Sequence, residues 1–112
     1  MHTVSGIKNM ARTKLNRGDY LMNKCAKQLI AEGWFVEKAK KVRWVRQDFF
    51  GLWDIIAVHP VIPTIRFIQV SAKPDYDKGR EWRQKAKDFP VNESSQKEYW
   101  WMNGREWVIK TL

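Results

Sequence analysis

Apolar and polar positions change period along this chain, and each change marks an element. From Arg17 the apolar residues Leu21, Met22, Cys25, Ala26, Leu29 and Ile30 recur at three- and four-residue steps. That spacing lines one face of an α-helix and predicts a helix over about 17–32. Asn16 or Asp19 can cap its start, and Gly33 supplies the stop. Residues 1–15 carry little pattern and read as a loose lead-in. Trp34-Phe35-Val36 opens an extended segment in which Lys38, Lys40, Lys41, Arg43 and Arg46 interleave with Val42, Trp44 and Val45. It reads as one bent strand, or as two short strands joined by a basic turn. Asp48 to Leu52 reads as a turn hinged at Gly51. Strands are expected at about 53–59 and 65–72, on either side of Pro60 and Pro63, with Pro74 and Asp75 breaking the second. Trp82, Ala86 and Phe89 stand at helical spacing and predict a helix from Asp77 to Phe89, ended by Pro90. Last, Glu98–Met102 and Arg105–Ile109 flank Asn103-Gly104, a dipeptide suited to a type I′ turn, so a β-hairpin is expected over about 97–110.

Helix, three strands, helix and two strands predict an α/β (α+β) fold, a central mixed sheet flanked by two helices. A length of 112 residues fits a single domain spanning 1–112, and 44% hydrophobic residues suffice for a core. No apolar run approaches the roughly 20 residues of a membrane helix. The start, Met1 to Lys14, lacks a signal-peptide core. The expectation is an intracellular, cytoplasmic protein with no membrane partner. The single cysteine, Cys25, permits no internal disulfide, and with only His2 and His59 beside it no Cys/His zinc cluster can be assembled.

Charge changes the picture. Twenty-one Lys and Arg against twelve Asp and Glu leave a net +9. The cations are clustered: Lys40, Lys41, Arg43 and Arg46 surround Trp44 and Val45, and Lys78, Arg80 and Arg83 accompany Trp82. Such clusters neutralise phosphates with little sequence preference, and an aromatic among them can stack on a base. A nucleic-acid partner is expected, with these seven cations as its contacts. Core packing is the simpler use of any one tryptophan. Trp100 and Trp101, however, fall on opposite faces of the hairpin, with Trp107 on the adjacent strand. Something must cover the outer face, and a homodimer is the plain candidate.

Strand alternation supplies the candidate chemistry. Phe67, Gln69, Ser71 and Lys73 share one side of their strand, and Asp54, Ile56 and Val58 share a side of theirs. If the two strands pair as a hairpin, Asp54 comes close to Ser71 or Lys73. The pair then presents an acid, an amide oxygen, a hydroxyl and an amine together. Oxygen ligands of this kind hold a hard divalent cation, and the amine can orient water attacking a phosphodiester. A solvated strand face, with Asp54 capping the Gly51 turn, is the plainer use of the same residues.

Trp53-Asp54-Ile55-Ile56-Ala57 and Ile68-Gln69-Val70-Ser71, in this order of elements, resemble the PD-(D/E)xK nuclease superfamily. Within it the chain is most similar to the small archaeal-type Holliday junction resolvases and related phage endonucleases, over about residues 17–90. The resemblance implies a restriction-endonuclease-like αβββαβ core and Mg²⁺- or Mn²⁺-dependent hydrolysis of branched or duplex DNA by a homodimer, cellular or phage-encoded. It implies Asp54 as metal carboxylate and Gln69, at the place of the triplet acid, as an amide ligand. Ser71, at the place of the triplet lysine, would hydrogen-bond a phosphate or water, and Lys73 would supply the amine. Gln69 and Ser71 depart from the family's acid-x-Lys triplet. Met22 stands near the register of its helix glutamate, with Asp19 earlier, and Asp48 or Glu37 is the candidate second carboxylate. A catalytically inactive nucleic-acid-binding module on the same fold is therefore the alternative. An interaction protein that meets an acidic protein partner is the third reading.

Overall fold

The first helix, α1 (Arg17–Ala31), forms along the predicted stripe: Leu21, Met22, Cys25, Ala26 and Leu29 are buried, while Ile30 falls off it and is exposed. Gly33 ends it at φ 94°, where the Trp34 and Gly33 amides donate to the carbonyls of Leu29 and Ile30. Those two bonds are a Schellman motif, which requires the left-handed conformation that glycine adopts freely. This is a computed structural model, describing residues 17–43, 45–74 and 78–112. The lead-in, the Asn16 cap, Trp44 and the expected helix start at Asp77 lie outside the described residues.

The extended basic segment divides in two. β1 (Phe35–Lys38) joins the main sheet, and β2 (Lys40–Val42) pairs only with β3 (Val45–Gln47), as a separate two-stranded hairpin. Buried Ala39 marks the division, its amide donating to the Asp54 carbonyl at 2.8 Å. β4 (Ile55–Val58), β5 (Ile65–Ser71), α2 (Arg80–Asp88), β6 (Ser95–Asn103) and β7 (Glu106–Thr111) complete the chain. The five-stranded sheet has the order β1-β4-β5-β6-β7. β5 and β6 run parallel, joined through α2, and the other neighbours are antiparallel. The sheet is therefore mixed and the class α+β, as the order of elements predicts.

The two helices cover opposite faces. Ile55, Ala57, Ile68, Val70 and Trp100 pack with the α1 stripe. Alternate positions turn the other way, and Phe67 joins Leu52, Trp53, Trp82, Ala86 and Phe89 around α2. Lys97 fastens α2 by its C-terminus, its ammonium donating to the carbonyls of Ala86, Lys87 and Phe89 at 2.7, 2.9 and 3.0 Å. These acceptors are carbonyls that a helix end leaves without a partner.

The C-terminal hairpin differs from expectation in two ways. Its first strand is a full member of the central sheet, so the hairpin extends the sheet and is no appendage. Asn103 pairs with Glu106, which makes Gly104-Arg105 the loop, and of its residues only Gly104, at φ 67°, has positive φ. Glycine first in a two-residue loop is the II′ pattern, where I′ was expected. The hairpin tryptophans are covered in part within the chain: Trp100 is buried, and Trp101 and Trp107 are half-buried. Trp100 packs edge-on to Trp107 at 5.3 Å on the α1 side, and Trp101 meets Tyr99, itself against Trp82, on the α2 side.

Candidate functional site

Asp54 sits one residue before β4 and is 1% exposed. Its amide donates to the Ile68 carbonyl, and its Oδ2 accepts the Val70 amide at 2.9 Å. These two bonds tie it to the residues on either side of Gln69. Its Oδ1 accepts from Arg46 Nη1 at 2.9 Å. Arg46 reaches in from β3 and spends Nη2 on Asp19, in the first turn of α1, and Lys41 of β2 holds the other oxygen of Asp19. A chain of charges, Lys41–Asp19–Arg46–Asp54, thus ties α1, the small hairpin and β4 together.

Burial works against ionisation of Asp19, but hydrogen bonds from Lys41 and Arg46 outweigh it and hold the carboxyl below its ordinary range. Burial likewise opposes the charge on Arg46, and its bonds to Asp19 and Asp54 raise its pKa nonetheless. Asp48 behaves in the opposite way. Burial, then the charge of Asp54 and a hydrogen bond to it, push the Asp48 carboxyl up to about 6, with Arg46 and Lys78 opposing. Asp48 Oδ1 and Gln69 Oε1 are buried and have no hydrogen-bond partner.

The predicted site residues come together only in part. Asp54 is bonded to both chain neighbours of Gln69 in β5, and Asp48 lies beside Asp54. Ser71 ends β5, and its Oγ accepts the Lys73 amide at 3.1 Å. Because the strand stops there, alternation does not carry Lys73 to Asp54. Lys73 stands exposed in the following bend, its carbonyl accepting the Tyr99 hydroxyl at 2.8 Å. Glu37 is exposed on β1.

Of the predicted phosphate contacts, Lys40 and Arg43 are exposed on the small hairpin, Arg43 at its turn with φ 51°. Lys41 and Arg46 are engaged with acids. Arg80 and Arg83 are exposed on α2, where they line a shallow cleft with Gln84 and Lys87. Lys78 lies 5.5 Å from the centre of the Trp82 ring, and the Trp82 indole donates to the Leu52 carbonyl. Trp82 is therefore an anchor of α2. The partnership of Asp19 with Arg46 was missed from the sequence. The available signal was an acid at the head of the apolar stripe, three residues before Met22, where burial demands a cation.

No family model, no curated protein and no solved structure matches this chain. Among the described residues no group of three or more His, Cys, Asp or Glu side chains forms a metal centre, and no helix is long and apolar enough to cross a membrane. The oxygens gathered near Asp54 still suit a hard divalent cation in kind: two carboxyls and an amide, with two buried oxygens unpartnered. The obstacle is Arg46, which already neutralises Asp54.

Proposed function

We propose that this chain is a metal-dependent DNA endonuclease of the PD-(D/E)xK type, hydrolysing phosphodiester bonds in branched or duplex DNA as Holliday junction resolvases do. The observation that carries this reading is a buried Asp54 bonded to both neighbours of Gln69, together with two buried oxygens, on Asp48 and Gln69, that have no hydrogen-bond partner. The order α1, β1, β4, β5, α2, β6 supports a restriction-endonuclease-like αβββαβ core, with β2 and β3 as an excursion from it.

Asp54, Gln69 and Asp48 would hold Mg²⁺ or Mn²⁺. Such a cation, when bound, polarises a phosphoryl oxygen and lowers the pKa of water. The Val70 amide fixes the orientation of the Asp54 carboxylate. Lys40 and Arg43 on one element and Lys78, Arg80 and Arg83 near the other helix grip phosphates. Ser71 donates to a phosphate or water, and Lys73 at the exposed bend adds a phosphate contact. Cutting both strands of a junction takes two copies of the chain.

Incubation of a four-way junction and a linear duplex with Mg²⁺ and then Mn²⁺ tests the reading. The expected outcome is metal-dependent cleavage that Asp54→Asn abolishes. An Asp54→Asn variant that cuts as fast as the parent removes the assignment. One observation favours a second reading, a non-catalytic DNA-binding module: Arg46 neutralises Asp54, and Gln69 brings no charge. That reading expects salt-dependent DNA binding and no cutting at any Mg²⁺ or Mn²⁺ concentration.

A further inference from the structure

We infer that Arg46 is a displaceable internal counter-ion, which closes Asp54 to divalent cations until the phosphates of nucleic acid draw it out. The inference rests on the endonuclease reading of the same site. Charge balance is its starting point. Asp19 and Asp54 contribute two negative charges, and Lys41 and Arg46 contribute two positive ones. A divalent cation arriving at Asp54 Oδ1 meets a guanidinium already hydrogen-bonded there, and like charges a few ångströms apart repel strongly away from bulk water.

The hold on Arg46 is incomplete. Its side chain is 19% exposed, and its Nε is buried with no partner. The element that carries it, β3, lies outside the main sheet. β2 and β3 pair only with each other, outside the main sheet, and a lone two-stranded hairpin is marginal in water. The same hairpin displays Lys40 and Arg43 to solvent. A DNA backbone that engages those two cations offers Arg46 and Lys41 new anionic partners alongside them. Once Arg46 turns to phosphate, Asp54 is left without that counter-ion beside the open oxygens of Asp48 and Gln69. Metal and DNA then bind cooperatively, each raising the affinity for the other by the same factor.

Calorimetric titration of the full chain with MnCl₂ tests this. The parent, without DNA, is expected to bind Mn²⁺ weakly, and Arg46→Gln to bind it at least about tenfold more tightly. Duplex affinity of the parent, read by fluorescence anisotropy, is expected to rise when Ca²⁺ is added. In Arg46→Gln the rise from Ca²⁺ is expected to shrink, because the gate is already open. Equal Mn²⁺ affinities in a folded Arg46→Gln variant and the parent overturn the inference. If Arg46→Gln does not fold, Arg46→Met removes the same charge from Asp54 while keeping the apolar stem of the side chain. It is expected to bind Mn²⁺ more tightly than the parent, and no gain overturns the inference. Tighter Mn²⁺ binding in these variants with no cutting of any DNA keeps the gate and removes the endonuclease. Asp54-dependent cutting with unchanged Mn²⁺ affinities removes the gate alone.

Discussion

The Val70 amide donates to Asp54 Oδ2 at 2.9 Å, so the carboxylate at the centre of the site also fastens the start of β4 to β5. Removing it does two things at once. Asp54→Ala leaves a buried amide unpaired and strips Arg46 of one anion, a loss of about 3–5 kcal/mol. Asp54→Asn keeps an oxygen for Val70 and is expected to cost less, about 1–3 kcal/mol. Urea unfolding of the two variants should rank them in that order. Loss of function in the alanine variant alone would report folding. The asparagine variant separates chemistry from structure.

A second buried pair lies on the α1 face and belongs to stability. Glu98 is fully buried, and both its oxygens accept from Arg66 at 2.7 Å, with Trp100 Nε1 and Gln96 Nε2 completing the set. The guanidinium lies 4.7 Å from the centre of the Trp34 ring. Glu98→Ala leaves that cation buried without its anion, and the expected loss is about 3–5 kcal/mol. Replacing both partners, Arg66→Met with Glu98→Leu, should recover most of it, because no charge then remains to be desolvated. Denaturant midpoints of the single and double variants check this, and a double variant as unstable as Glu98→Ala contradicts it.

What could be read in the sequence follows from how local each signal is. The α1 stripe and the Gly33 stop are properties of adjacent turns, and they are found where the periodicity predicts. The same holds for β4 and β5, which lie inside their predicted ranges. The basic segment, which reads as one bent strand or two short ones, forms three short strands in two sheets. Long-range charge pairing was not legible. Arg46 and Lys41 read as free cations in a basic run, because nothing within that run reveals Asp19, more than twenty residues earlier. Nothing in the strand around Lys97 reveals that the end of α2 rests on it. Lys73 was assigned by alternation, which holds only while a strand continues, and β5 stops two residues short of it.

Asp48 makes stability depend on pH in a direction opposite to that of an ordinary carboxylate. Its folded pKa of about 6 lies above the ordinary value of 3.8, so the folded protein binds the proton more tightly than the unfolded chain. Its contribution is full below about pH 3.8 and is lost as pH rises through about 6. Asp19, with its pKa depressed, contributes above its unfolded value and loses that contribution only as pH falls through its own lower value. Asp48→Asn, which cannot ionise, is therefore expected to stabilise the protein relative to the parent at pH 8 and to have little effect at pH 4. The gain at pH 8 should be on the order of 1 kcal/mol once partial solvent screening of the site is allowed for. Thermal melts of both proteins at the two pH values decide it, and an equal difference at both removes Asp48 as the cause.

The exposed cations of α2 make the remaining prediction. Arg80 and Arg83 line one cleft and have no ion pair among the described residues, in contrast to Lys41 and Arg46. If each grips one phosphate, Arg80→Ala and Arg83→Ala should each weaken duplex binding without regard to sequence. Each should also reduce the slope of log affinity against log salt by about 1. Folding should be little affected, because substitutions at exposed helix positions usually stay within about 0.5 kcal/mol. Lys41→Ala differs: removing it takes one of its cations from the buried Asp19, so lower stability accompanies any loss of binding. Anisotropy titrations over a range of salt, with a melt for each variant, separate the two classes. Unchanged slopes in both arginine variants would move the DNA contact off α2 and onto the β2–β3 hairpin.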